Sequence, residues 1–151
     1  MENTNEKTVS LLNGLIEINN DRIDGYEKAV KETENGAYKS LFAGFAGDSR
    51  QYRAELISEV ISHGGIPAEG NTASGKVYHA WMDIKAALTA KDSTAILNTC
   101  EFGEDAAVEA YDDVLKSDKL TAKARNLVSR QRASVKQAHD KIKMIRDGVL
   151  K

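Results

Sequence analysis

Glu101 and Glu104 stand three residues apart in the stretch CEFGEDAAVEAY, and His139 lies next to Asp140 nearer the end of this 151-residue chain. Two carboxylates and an imidazole form a donor set for iron or manganese, because carboxylate oxygens are hard ligands and imidazole can complete the shell. Glu104, Glu101 and His139 are therefore the candidate metal ligands. The spacing that builds a di-iron centre inside a helix bundle is different: one Glu from each of two helices and a Glu-x-x-His pair from each of the other two. No Glu-x-x-His occurs here; Glu59 precedes His63 by four residues, and no Glu lies three residues before His139. Gly-rich phosphate loops, nucleophile elbows and Cys-x-x-Cys pairs are also missing from the sequence. The single cysteine, Cys100, has no basic neighbour in sequence that would activate it and reads as a small core residue.

These residues must be positioned by helices. The chain has one proline, Pro67, and its β-branched residues never form the alternating runs of a half-buried strand, which makes the class all-α. A first helix is predicted over 6–33, with Leu12, Ile16, Asn19, Ile23, Tyr26 and Val30 along one face at spacings of four and three. Glu34, Asn35 and Gly36 break it. The second helix, over 37–63, carries Phe42, Phe45, Ser49, Tyr52, Leu56 and Val60, and Gly64-Gly65 stops it. Residues 66–91 form a long connection with a shorter helix over 77–88, where His79 and Trp81 pack against the bundle. A third long helix starts at Asp92 or Ser93, presents Leu97, Cys100, Glu104, Ala107, Tyr111 and Val114, and ends near Ser117. Thr121 caps the last helix, which presents Val128, Gln131, Val135, Ala138, Ile142 and Ile145 and closes at Asp147-Gly148.

Helices of about 25 residues are about 37 Å long, a length that the connection over 66–91 can travel. Two short turns and one long crossover between the second and third helices specify a ferritin-like four-helix bundle, with those two helices parallel. Matching the helix midpoints brings Asn19, Ser49 or Tyr52, Glu104 and Gln131 to one level. They form a structural polar layer in which Glu104 is hydrogen-bonded to Gln131, Asn19 and the hydroxyls of Tyr26, Tyr52 and Tyr111 and fixes helix register. On that reading Glu104→Gln keeps the shape and removes a buried charge, leaving stability unchanged or raised by about 1 kcal/mol. His139 falls beside the apolar stripe of the last helix, at its rim.

Hydrophobic residues make up 41% of the chain, enough for one core, and its length favours a single domain over 1–151. Net charge is −2, with both signs interspersed, so neither a nucleic-acid face nor an acidic tail is expected. The polar start MENTNEKTVS has no apolar signal region, no apolar run reaches a membrane span, and a lone cysteine suits a reducing compartment. A cytoplasmic, self-associating protein without a membrane partner is the expectation.

The runs LLNGLIEINNDRIDGYEKA, ELISEVISHGGIP, GKVYHAW and CEFGEDAAVEAY, with SRQ and HDKIKMIRD near the end, resemble an uncharacterised bacterial family of ferritin-like four-helix-bundle proteins, a domain of unknown function. The resemblance covers nearly the whole chain in order and implies the bundle and its crossover. It carries no settled activity, hence no catalytic residue; the positions matching its polar motifs are Glu17, Glu55, Glu101, Glu104, Gln131, His139 and Asp140. The expected role is a non-enzymatic bundle, structural or stress-associated in its binding and without a cofactor. The alternative is a bundle that binds iron or manganese, or a weak oxidoreductase, through a reduced carboxylate and histidine site.

Overall fold

The computed structural model describes residues 4–72, 81 and 93–148. Four helices account for most of them: α1 (Thr4–Glu32), α2 (Gly36–Ser62), α3 (Ser93–Leu115) and α4 (Ala122–Arg146). The ends differ from the expected ones by one or two residues for reasons visible in the caps. Asn35 is the N-cap of α2, its side-chain oxygen accepting the Tyr38 N–H at 3.0 Å, so the helix begins at Gly36. At the other end of α2, Gly64 takes φ +82°, and the Gly64 and Gly65 N–H groups return to the carbonyls of Ile61 and Val60. That pair of bonds satisfies carbonyls the helix would otherwise leave open, and only glycine adopts the required φ without strain. Thr121 caps α4 by accepting from the Ala124 N–H.

Contacts along the helices fix their directions. Arg53 donates to Asn20 at 2.9 Å, and Arg50 pairs with Glu27, so α1 and α2 are antiparallel. Tyr26 meets Glu104, Asn19 meets Tyr111 and Thr8 meets Lys119, so α3 descends as α1 ascends. Lys123 pairs with Glu59 at 3.5 Å and Gln131 reaches the Tyr52 carbonyl, so α4 is antiparallel to α2. Arg132 on Asp112 and His139 on Asp105 set α4 antiparallel to α3. Hence α2 and α3 run parallel, as the long connection requires. The first part of that connection climbs α1: Asn13 bonds the Ile66 carbonyl and the Ala68 N–H, Asn20 the Gly70 carbonyl, and Asp21 the Asn71 and Thr72 side chains. Polar side chains on one helix face thus satisfy the backbone of a segment that has no ladder of its own. Within the connection only Trp81 is described beyond residue 72; the helix expected over 77–88, with His79, lies outside the described residues.

Two apolar clusters fill the bundle. One gathers Leu12, Leu15, Ile16, Leu56, Val60, Val128 and Val135, and the other Phe42, Phe45, Trp81, Leu97, Cys100 and Ile142. Each such aliphatic or aromatic side chain contributes about 1.5–3 kcal/mol when fully buried. Trp81 is wedged between α1 and α3, fully buried, with its ring 4.8 Å from that of Tyr26. Two mid-helix glycines make the room: a Cβ at Gly25 would lie 2.5 Å from Trp81 Cε3, and one at Gly103 2.3 Å from Cε2. Alanine would ordinarily stabilise a helix interior by about 1 kcal/mol over glycine. Here the rigid indole cannot give way, and Gly25→Ala and Gly103→Ala are each expected to lower stability by about 1–3 kcal/mol. Urea unfolding followed by circular dichroism checks this, and a stabilised variant would contradict the wedge. Among the described residues, no helix is long and apolar enough to cross a membrane.

Candidate functional site

The two apolar clusters are parted by a polar layer at mid-bundle. Asn19, Arg22 and Tyr26 reach it from α1, Ser49 from α2, Glu104 and Tyr111 from α3, and Gln131 from α4; all seven are buried. At its centre Arg22 clasps Glu104 with two hydrogen bonds, Nε to Oε1 at 2.6 Å and Nη2 to Oε2 at 3.0 Å. Its remaining terminal nitrogen, Nη1, donates to the Ser49 hydroxyl, and the guanidinium carbon lies 5.6 Å from the centre of the Tyr26 ring. Tyr26 donates its hydroxyl to Glu104 Oε1 at 2.9 Å. The guanidinium fork matches the carboxylate geometrically, which makes this the strong, two-pronged form of the charged hydrogen bond. Side-chain exposure is 1% for Arg22 and 0% for Glu104, so water contributes little to satisfying either charge.

A second chain of bonds runs beside the first. Asn19 Nδ2 donates to the Leu15 carbonyl and to the Tyr111 hydroxyl, both at 2.9 Å; Tyr111 donates to Gln131 Oε1 at 2.7 Å. Gln131 Nε2 then reaches the Tyr52 carbonyl at 3.2 Å and Glu55 Oε1 at 3.1 Å. Asn19 and Gln131 are thus joined through Tyr111, whereas Glu104 bonds to Arg22 and Tyr26. Tyr52 takes part through its backbone, and its side chain is only partly buried.

Burial and the Arg22–Glu104 pair together set the charge states of this interior. Burial is the largest influence on Arg22 and works against its charge, but Glu104 together with Tyr26 and Tyr111 outweighs it and the guanidinium pKa is raised. Burial and the nearby Glu104 charge push the Tyr26 phenol well above its ordinary range, and burial likewise raises Tyr111. The Cys100 thiol is pushed up by burial and by Glu104. A buried thiol held neutral is neither nucleophile nor ligand. A di-iron group does not fit the layer. The central carboxylate is engaged at both oxygens, and the cation facing it would repel a second positive charge.

The other candidate residues meet elsewhere, at the α3–α4 seam. His139 Nε2 lies 2.5 Å from Asp105 Oδ1 and 3.9 Å from Glu101 Oε1, while Nδ1 lies 3.0 Å from Asp140 Oδ1. Arg146 pairs with the second oxygen of Glu101, and Lys136 binds Asp140 at 2.6 Å. Lys136 and His139 together hold the Asp140 carboxyl below its ordinary pKa. One ligand atom each from Glu101, Asp105 and His139 lie within 4.8 Å of one another. The set expected from sequence was Glu101, Glu104 and His139. Two of these meet and Glu104 does not join them, because positions 101 and 105 share a helix face while 104 is turned about 60° from the first and about 100° from the second, into the bundle. Glu17, on α1, has its pKa raised by burial and by Asp21, and Glu55 pairs with Arg130 at 3.5 Å. Neither reaches the seam cluster.

Sequence reasoning missed Arg22 and Asp105. A signal for Arg22 existed: a carboxylate in a core stripe needs a counter-charge, and Arg22 stands one turn beyond Asn19. A search of curated proteins found no match to the chain. A family model described as a domain of unknown function (DUF2383) matches residues 7–117, from α1 through the connection to the end of α3. The match spans the helices that supply Arg22, Ser49 and Glu104, and the chain belongs to the DUF2383 family.

Proposed function

We propose that the chain is a non-enzymatic, ferritin-like bundle forming one domain, whose interior polar layer sets helix register and whose role is binding at its outer surface, structural or stress-associated. The observation that carries this reading is the buried Arg22–Glu104 clasp, which puts a guanidinium where a carboxylate-ligated bundle would hold a cation. Buried polar pairs of this kind serve register well and stability poorly. Self-association in a cytoplasmic setting belongs to the same proposal; the exposed Ile61, Ile66, Phe102 and Met144 offer apolar area for it. Nucleic acid is not among the proposed partners, since the net charge of −2 gives no basic surplus to neutralise phosphates.

Thermal melts of chelator-treated protein test this, with Fe²⁺ or Mn²⁺ added to wild type and to Glu104→Gln. A bound ion raises stability by about 2.7 kcal/mol at a hundredfold excess over Kd. The reading expects any metal-dependent gain in Tm to be the same in both proteins. A gain present in the wild type and abolished by Glu104→Gln would establish an interior metal and overturn it. The second reading, a metal-binding bundle with a reduced site, is favoured by one observation, the convergence of Glu101, Asp105 and His139.

A further inference from the structure

We propose that the α3–α4 seam is a three-ligand site for a borderline divalent transition ion, of which Zn²⁺ is the type, with His139 Nε2, Asp105 and Glu101 as ligands and Asp140 as the positioning residue. This develops the second reading above and is independent of the interior layer. One imidazole nitrogen and two carboxylate oxygens are a donor set that Zn²⁺ accepts at about 2.0–2.2 Å. The three atoms already lie within 4.8 Å of one another, so side-chain rotations alone can close them on one ion. Glu101 and Asp105 are spaced four residues apart on α3, which stacks their carboxylates on one helix face, and His139 enters from α4.

The ring of His139 is oriented as ligand histidines are. Its Nδ1 faces Asp140 Oδ1 at 3.0 Å, which leaves Nε2 directed at Asp105 and Glu101. A carboxylate on the far nitrogen fixes the ring and strengthens the ligating one. His139 and Glu101 are 12% and 15% exposed and Asp105 61%, so the seam is semi-enclosed with an entry path on the Asp105 side. Arg146, paired with Glu101 Oε2, leaves Oε1 facing His139 and neutralises part of the negative charge that would draw an ion there. The donor mix also sets selectivity: an imidazole in the shell favours Zn²⁺ over Mn²⁺, and Mg²⁺, which prefers all-oxygen octahedral shells, is poorly served.

Zn²⁺ titration of chelator-treated full-length protein, in competition with a chromogenic chelator, tests the site. One Zn²⁺ per chain is expected, bound more tightly than Mn²⁺, with Mg²⁺ not competing. His139→Ala and Asp105→Asn are each expected to weaken Zn²⁺ by about a hundredfold, and Asp140→Asn by about tenfold. Arg146→Gln, by removing that opposing charge, is expected to tighten it. These residues lie at the surface seam, and circular dichroism of each variant confirms that the helices persist. Absence of saturable one-to-one Zn²⁺ binding, or binding unaffected by His139→Ala and Asp105→Asn, overturns the site. Binding lost in Glu104→Gln but retained in His139→Ala would overturn this inference together with the structural reading of the interior. Loss in His139→Ala and Asp105→Asn but not in Glu104→Gln supports the seam and leaves the interior reading intact.

Discussion

Glu104→Gln is expected to destabilise the bundle by about 3–5 kcal/mol, the cost of leaving Arg22 buried and unpaired. Arg22→Met should lose a similar amount, since Glu104 is then stranded with only the Tyr26 hydroxyl. From sequence alone the first substitution was expected to be neutral or stabilising. The sign changes because the carboxylate sits in the fork of a fully buried guanidinium. Glutamine can accept one bond from Arg22 but cannot neutralise its charge, and Ser49 and Tyr26 are not anions. A loss of this size is a large fraction of the 5–15 kcal/mol that holds a typical domain folded. Urea unfolding of the two single variants measures it, and a change smaller than about 1 kcal/mol in either would show that solvent or a rearranged partner satisfies the remaining charge.

Trp81→Ala is the other large expected effect, a loss of about 3–5 kcal/mol. The indole fills the space between Gly25 on α1 and Gly103 on α3, and neither backbone can move in to close the cavity without disturbing the helices on which they lie. It also packs edge-on to Tyr26, one of the residues that holds Glu104, so the cavity would open against the polar layer. Trp81 is the single tryptophan, so the unfolding must be followed by circular dichroism instead of intrinsic indole fluorescence. Trp81→Phe, which retains much of the volume, should recover part of the loss. A cost below about 1 kcal/mol for the alanine variant would mean that the connection is not locked to the bundle through this residue.

The helices, their order and the parallel pairing of α2 and α3 were readable because they rest on local signals: apolar spacing of three and four, the break at Glu34, Asn35 and Gly36, Thr121 as a cap, Gly64 as a stop, and a connection long enough to cross. The polar interruptions Asn19, Glu104 and Gln131 were readable for the same reason. Their bonding was not, because which side chain meets which depends on how far each helix is rotated about its axis. Arg22 falls one residue before Ile23, off the apolar stripe, and a long charged side chain there ordinarily lies in solvent. Asp105 follows Glu104 by one residue and shares a helix face with Glu101 by its spacing, but only the seam with α4 reveals that His139 meets that face. Gly25 and Gly103 did carry a signal, since glycine inside a helix is unfavourable and marks a close approach. What approaches is Trp81, distant in sequence from both, and no local pattern names it.

The central claim, that the interior charges form one structural unit, is tested most directly by a double-mutant cycle. Stability is measured by urea unfolding for wild type, Arg22→Met, Glu104→Gln and the double variant. If the clasp is structural, each single variant loses about 3–5 kcal/mol while the double variant, with no stranded charge, returns to within about 1–2 kcal/mol of wild type. Losses that simply add in the double variant would contradict it, because Arg22 and Glu104 would then act separately, each with a task the other does not share.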